Sequence, residues 1–230
     1  MKRQLWILSA LALLSTALCG CDGKPAAEAP PSLPMAAAAP EVPAGVIAAF
    51  GDSLTEGLGV DEETAYPALL EAKLRASGLN YTVINAGISG ETSSGALSRV
   101  RWVLTLKPDI VILETGANDG LRGVDPALTR KNIREIVRIL QGEGVVVVLA
   151  GMEMFRNLGA EFTGAFREIY PSVAADENVL LIPFFLKGVA GDPRLNLPDG
   201  IHPNPEGYRI VAETVYPHVI EAIGRLKTHG

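Results

Sequence analysis

The sequence predicts a three-layer α/β/α sandwich around a five-stranded parallel sheet, and three observations carry that reading. From Gly45 onward, short apolar runs alternate with longer amphipathic stretches, the pattern of successive strand–helix–strand units. Each run is bounded by Gly, Pro, Asn or Asp, where a turn can start or stop it. The runs are apolar almost throughout, as strands covered by helices on both faces must be.

In chain order, the predicted strands are Val46 to Phe50, Tyr81 to Asn85, Ile110 to Glu114, Val145 to Ala150 and Val179 to Pro183. The predicted helices are Tyr66 to Ser77, Ser94 to Leu106, Pro126 to Gln141, Gly159 to Ala175 and Pro205 to Leu226. The third shows the periodicity best: Ile133, Ile136, Val137 and Leu140 share one face, while Arg130, Lys131, Arg134 and Arg138 take the other. Right-handed crossovers place helices on both sides of the sheet. The strand order 2-1-3-4-5 is taken by analogy with flavodoxin-like sheets. All the strands then end at one rim, where the loops after the first, second and third carry Ser53, Gly90 and Asn118. No internal repeat or second boundary interrupts residues 45–230, which are expected to form one domain.

Ahead of that domain lies a leader. Lys2 and Arg3 form a basic start and Leu5 to Leu18 an apolar stretch, shorter than the roughly 20 residues that span a bilayer. Leu18-Cys19-Gly20-Cys21 resembles a bacterial lipobox, which implies a signal peptide over residues 1–20 and a lipid on Cys21. Residues 21–44 are rich in Ala, Pro and Glu and read as a semi-extended tether. Asp22, directly after the lipidated position, resembles an inner-membrane retention signal. The expected location is therefore outside the cytoplasm, on the periplasmic face of the inner membrane if the host has two. Both cysteines of the chain fall in this region, so no disulfide can staple the domain. A formal net charge of -6 argues against nucleic acid as a partner, because phosphate backbones call for a concentrated basic face.

Two short segments carry the chemistry. Gly51-Asp52-Ser53-Leu54-Thr55 follows the first strand, so Ser53 stands at a strand-to-helix turn with its own N–H free to donate. A serine there is more often only a helix cap. What changes the balance is Asp199-Gly200-Ile201-His202-Pro203, where one tight turn brings a carboxylate to one imidazole nitrogen and frees the other for Ser53. Of the three histidines, His218 falls on the last helix and His229 at the tail, leaving His202 as the candidate base. No His/Cys/carboxylate cluster has metal-ligand spacing, so neither metal nor other cofactor is implied.

Gly51-Asp52-Ser53, Gly90 within Ile88-Ser89-Gly90-Glu91-Thr92, Gly116-Ala117-Asn118-Asp119 and Asp199-Gly200-Ile201-His202-Pro203 resemble, in order, the four blocks of the SGNH (GDSL-type) hydrolases. The similarity runs from about Val46 to Arg225 and is nearest to the arylesterase/thioesterase I/lysophospholipase branch. It implies that Ser53 attacks an acyl carbonyl, His202 moves the proton and Asp199 orients His202. It also implies an oxyanion hole made by the N–H of Ser53, the N–H of Gly90 and the side-chain amide of Asn118. Gly87 is an alternative to Gly90, disfavoured by the Ser-Gly-Glu-Thr context, and Asn118 has the alternative of merely capping a turn. Asp52 and Asp119 are read as structural.

Gly116 to Gly123 resembles the mobile switch loop of that branch, and Gly151 to Gly159 supplies an opposite wall with Met152, Met154, Phe155 and Leu158. The expected substrate contacts are Gly116, Leu121, Met154 and Phe155. Phe155-Arg156 stands where many relatives carry a rigid Pro-Pro pair. The expectation is a monomeric serine hydrolase of short to medium acyl esters and thioesters, working through an acyl-enzyme. The alternatives are a carbohydrate acetylesterase and a non-catalytic acyl-binding lipoprotein. A Gly-x-Ser-x-Gly hydrolase is disfavoured because Thr55 stands two residues after Ser53.

Overall fold

Strands form where the sequence is most apolar: β1 (Gly45–Gly51), β2 (Tyr81–Gly87), β3 (Ile110–Glu114), β4 (Val146–Ala150) and β5 (Leu180–Ile182). They come from a computed structural model, which describes residues 42–229. The leader, Cys21 and most of the tether lie outside the described residues. All pairings are parallel and the order is β2-β1-β3-β4-β5, the order expected by analogy. β1 runs in register with β2 from Gly45 opposite Tyr81 to Gly51 opposite Gly87. Every residue of β3 is buried, as befits a central parallel strand.

The helices are α1 (Ser53–Glu56), α2 (Tyr66–Ala76), α3 (Ser93–Thr105), α4 (Ala117–Leu121), α5 (Pro126–Gly142), α6 (Ala160–Arg167), α7 (Ile169–Glu177) and α8 (Pro205–His229). One layer is made by α2 against α8, the other by α3, α5 and α7 in a row. α5 begins with Pro126 behind the Asp125 cap, whose carboxylate accepts from Ala127 N–H at 2.9 Å. Its apolar stripe is buried as predicted. The opposite arginines do more than face water: Arg130 and Arg134 reach Asp176, and Arg138 reaches Glu177 at 2.9 Å, docking α5 on α7.

Two departures from the predicted elements matter. The stretch Gly159 to Ala175 is not one helix but α6 and α7, because Pro171 has no N–H for the Arg167 carbonyl and its ring crowds that carbonyl. The segment after β3 is not an open loop but the short helix α4, while Ser53 opens a helix as expected, the single-turn α1. Both rise from the C-terminal rim of the sheet, so their first residues project into the crevice where such folds bind ligands. Among the described residues, no helix is long and apolar enough to cross a membrane.

Candidate active site

α1 is a single turn held by its flanks. Asp52 Oδ1 accepts from Leu54 N–H at 3.0 Å, and Gly57 closes the turn at a left-handed φ of 87°. Ser53 is thereby set at a helix N-terminus and is 7% exposed. Its N–H takes part in no backbone hydrogen bond among the described residues. Its hydroxyl meets His202 Nε2 at 2.8 Å across 149 positions of chain.

The histidine is oriented by its own turn. Asp199 Oδ1 accepts from the N–H groups of Ile201 and His202 at 2.9 and 3.0 Å, and Oδ2 lies 2.7 Å from His202 Nδ1. With the Nδ1 proton donated to Asp199, Nε2 carries the lone pair and accepts from Ser53. Those two backbone donors, then the imidazole, hold the Asp199 carboxyl down to about 2. The side chain is 44% exposed, against 15% for His202.

Asn118 lies on the first turn of α4, and it does not cap that helix: the cap is Gly116, at a left-handed φ of 105°. Instead Asn118 Nδ2 donates to Asp52 Oδ2 at 3.1 Å. That bond occupies one of its two amide protons. Gly90 takes a left-handed φ of 76°, while an added Cβ would meet only the Arg122 guanidinium at 3.6 Å. Backbone conformation, not close approach, is therefore what requires glycine here. Its N–H makes no backbone hydrogen bond among the described residues, whereas Gly87 gives its N–H to Asn85 Oδ1 at 3.0 Å. Gly87 is already spent.

The loop bearing Gly90 is pinned from several sides, by Asp119, which was read as structural, and by residues that sequence reasoning did not single out. Arg99 stacks on the Phe50 ring, pairs with Glu91 at 2.6 Å and donates to the Ala86 carbonyl at 2.8 Å. Glu56 accepts from Ser89 N–H at 2.9 Å, and Arg122 donates to the Gly90 carbonyl at 2.8 Å. Asp119 accepts from Ser93 N–H at 2.7 Å, Ser93 Oγ at 2.5 Å and Thr129 Oγ1 at 3.2 Å, tying α4 to α3 and α5. Beneath Asp52 lies Glu114, fully buried at the end of β3. Its signal was available: a carboxyl closing an otherwise apolar strand.

Beside Ser53 opens an apolar cavity of about 300 Å³. Its lining includes Leu54, Ala117 and Ile201, each next in sequence to Ser53, Asn118 or His202, together with Leu121, Met154 and Phe155. Three of the expected substrate contacts are thus in the wall. Gly116 is not: it makes the left-handed entry to α4, where a Cβ would strike the Tyr170 hydroxyl at 2.6 Å. Leu158 is exposed and absent from the lining, and Met152 is core as well as wall. Gly120 leaves room for the Met154 side chain, so the segment read as a switch loop is a helix packed against the opposite wall. Among the described residues, no group of His, Cys, Asp and Glu could hold a metal ion.

A hydroxyl paired with an imidazole that a carboxylate orients suits nucleophilic attack on a carbonyl. Comparison with known proteins agrees. Residues 49–210 match the GDSL-like Lipase/Acylhydrolase family. The chain is 40% identical to Esterase TesA of Pseudomonas aeruginosa over 168 residues, covering 73% of this chain and 84% of that protein. It is 36% identical to an Arylesterase of Vibrio mimicus over 173 residues, 75% of this chain and 86% of the relative. Identity is also 36% to Thioesterase 1/protease 1/lysophospholipase L1 of Escherichia coli K12, over 165 residues, with coverages of 71% and 78%. The crystal structure of TesA superposes with a TM-score of 0.75 at 38% identity, covering 77% of this chain and 99% of that one. The chain therefore belongs to the GDSL-like lipase/acylhydrolase family, as an ester hydrolase on the SGNH fold.

Proposed function

We propose that this enzyme hydrolyses esters of short to medium acyl chains through an acyl-enzyme on Ser53. His202 Nε2 takes the hydroxyl proton as Oγ attacks, then returns it to the departing alcohol. Asp199 holds the tautomer that makes Nε2 the base. The oxyanion is received by the N–H of Ser53, the N–H of Gly90 and the other amide proton of Asn118. The observation that carries the reading is the apolar cavity beside the 2.8 Å Ser53–His202 contact. Its volume is more than an acetyl group needs, which favours longer acyl chains over the acetyl groups of carbohydrate acetates.

The name of the Escherichia coli relative includes thioesterase and lysophospholipase, and both activities are within reach of this chemistry. If Cys21 carries a lipid, the tether of about 3.1 Å per extended residue holds the domain a few nanometres outside a membrane. There acyl-CoA is scarce, so oxygen esters, lysophospholipids among them, are the natural substrates in this reading. A p-nitrophenyl ester series from acetate to palmitate, with the parent and Ser53→Ala, tests it. Best turnover at intermediate lengths, abolished in the variant, is the expected result. Turnover confined to acetate, or none in the parent, overturns it. Mass spectrometry of the native N-terminus tests the lipid.

A further inference from the structure

We propose that Glu114 is a positioning residue that works as a neutral carboxylic acid: it braces the Asp52 carboxylate, which in turn aims the Asn118 amide and fixes the turn presenting Ser53. The inference rests on the roles given to Ser53 and Asn118 above.

The geometry is a buried chain of contacts. Glu114 Oε2 accepts from Asp52 N–H at 3.2 Å and from Thr55 Oγ1 at 2.9 Å, so it holds α1 on both sides of Ser53. Glu114 Oε1 is buried and accepts from nothing. Asp52 is 1% exposed and uses both its oxygens, Oδ1 on Leu54 N–H and Oδ2 on Asn118 Nδ2. Two carboxyl groups thus share one dry site and cannot both ionise. Asp52 accepts at both oxygens, as a carboxylate does, whereas the unused Oε1 of Glu114 is the atom left to carry a proton. Tyr66 of α2, Tyr170 of α7 and Tyr208 of α8 also feel the Glu114 charge, and the His202 imidazole acts on its partner Asp52. Burial raises both carboxyls, but on Asp52 it is opposed by Leu54 N–H, Glu114 and Asn118, whereas on Glu114 the neighbouring Asp52 adds to it and pushes that carboxyl well above the usual carboxylate range. Gly51 completes the fit, since a Cβ there would lie 2.6 Å from Glu114 Oε2.

The test uses the parent enzyme, Glu114→Gln and Glu114→Ala. The infrared carbonyl band of a protonated carboxyl is expected in the parent at neutral pH and should vanish in Glu114→Gln. Because glutamine keeps a neutral donor and acceptor in the same shape, kcat should stay close to the parent value. In Glu114→Ala the brace is gone, and kcat should fall about tenfold or more with KM little changed. Absence of the band, or glutamine as damaging as alanine, overturns the proposal, as does full kcat in a folded alanine variant. Should alanine fail to fold, the band and the glutamine variant still decide. The band does not depend on turnover, so it separates failure of this proposal from failure of the ester-hydrolase reading.

Discussion

Asp199 bonds His202 and Glu114 holds the turn that bears Ser53, and the two sites are built by opposite means. Asp199 sits in a half-open turn, three residues from the imidazole it serves, and two of its donors are backbone N–H groups of that turn. Glu114 lies at the end of the central strand, 62 positions from Asp52, with no access to water. The first site stabilises a charge with local amides and the second suppresses one by burial. The lesson is that one crevice needs both. A carboxylate beside the histidine must remain ionised to hold the Nδ1 proton, while the support beneath the nucleophile must not add a second charge to the core.

The largest effect that could break this comparison lies where the two sites meet. Ser53→Ala or His202→Ala should lower kcat by about 10⁴-fold or more, with the fold preserved by circular dichroism. Residual turnover near the parent value would remove the reason for comparing the two sites. Next comes Asn118→Ala, which takes away the donor that Asp52 aims. A loss of about 10²- to 10³-fold in kcat with KM nearly constant is expected from steady-state kinetics. A loss carried by KM instead would assign Asn118 to ground-state binding.

The pH dependence sharpens the contrast. Since Asp199 is held down to about 2, it stays ionised from mild acid to alkali. Asp199→Asn is therefore expected to lower kcat at every pH from mild acid to alkali in steady-state kinetics, and a loss confined to one end of that range would contradict its hold on the Nδ1 proton.

The smallest effect is on stability, and its sign differs between the two carboxyls. Glu114 is raised in the folded state, so its contribution is complete below the unfolded value of about 4.3 and is lost as pH rises toward the folded value. Asp199 is depressed, so its contribution is present above about 3.9 and is lost as pH falls toward 2. Thermal melts should therefore show Glu114→Gln gaining on the parent as pH climbs from about 4, while Asp199→Asn loses least in acid. Parallel melting curves for parent and Glu114→Gln would show that Glu114 ionises freely.

Much of the site was legible before any coordinates. Ser53, Asp199 and His202 stand in segments whose turn chemistry and strand context announce themselves, and the alternation of apolar runs implied the layered sheet. Asp199 could be paired with His202 because their contact spans a single turn. The break at Pro171 was readable too, since a missing N–H is a local fact, yet apolar periodicity over Gly159 to Ala175 hid it. The structural role of Gly116 was not legible, because a glycine beside a site can serve a ligand or a left-handed turn, and the Tyr170 hydroxyl packed against it shows that the turn requires it.

By itself, then, the sequence determined the five strands, most of the helices, the buried face of α5 and the self-contained Asp199–His202 turn, all governed by interactions within a few residues. Only the tertiary structure decided that Asn118 bonds Asp52, that Arg99 pins the Gly90 loop and that Glu114 lies beneath the nucleophile. Those contacts join residues from different strands, and their strength comes from a dry interior that exists only once the sheet is covered.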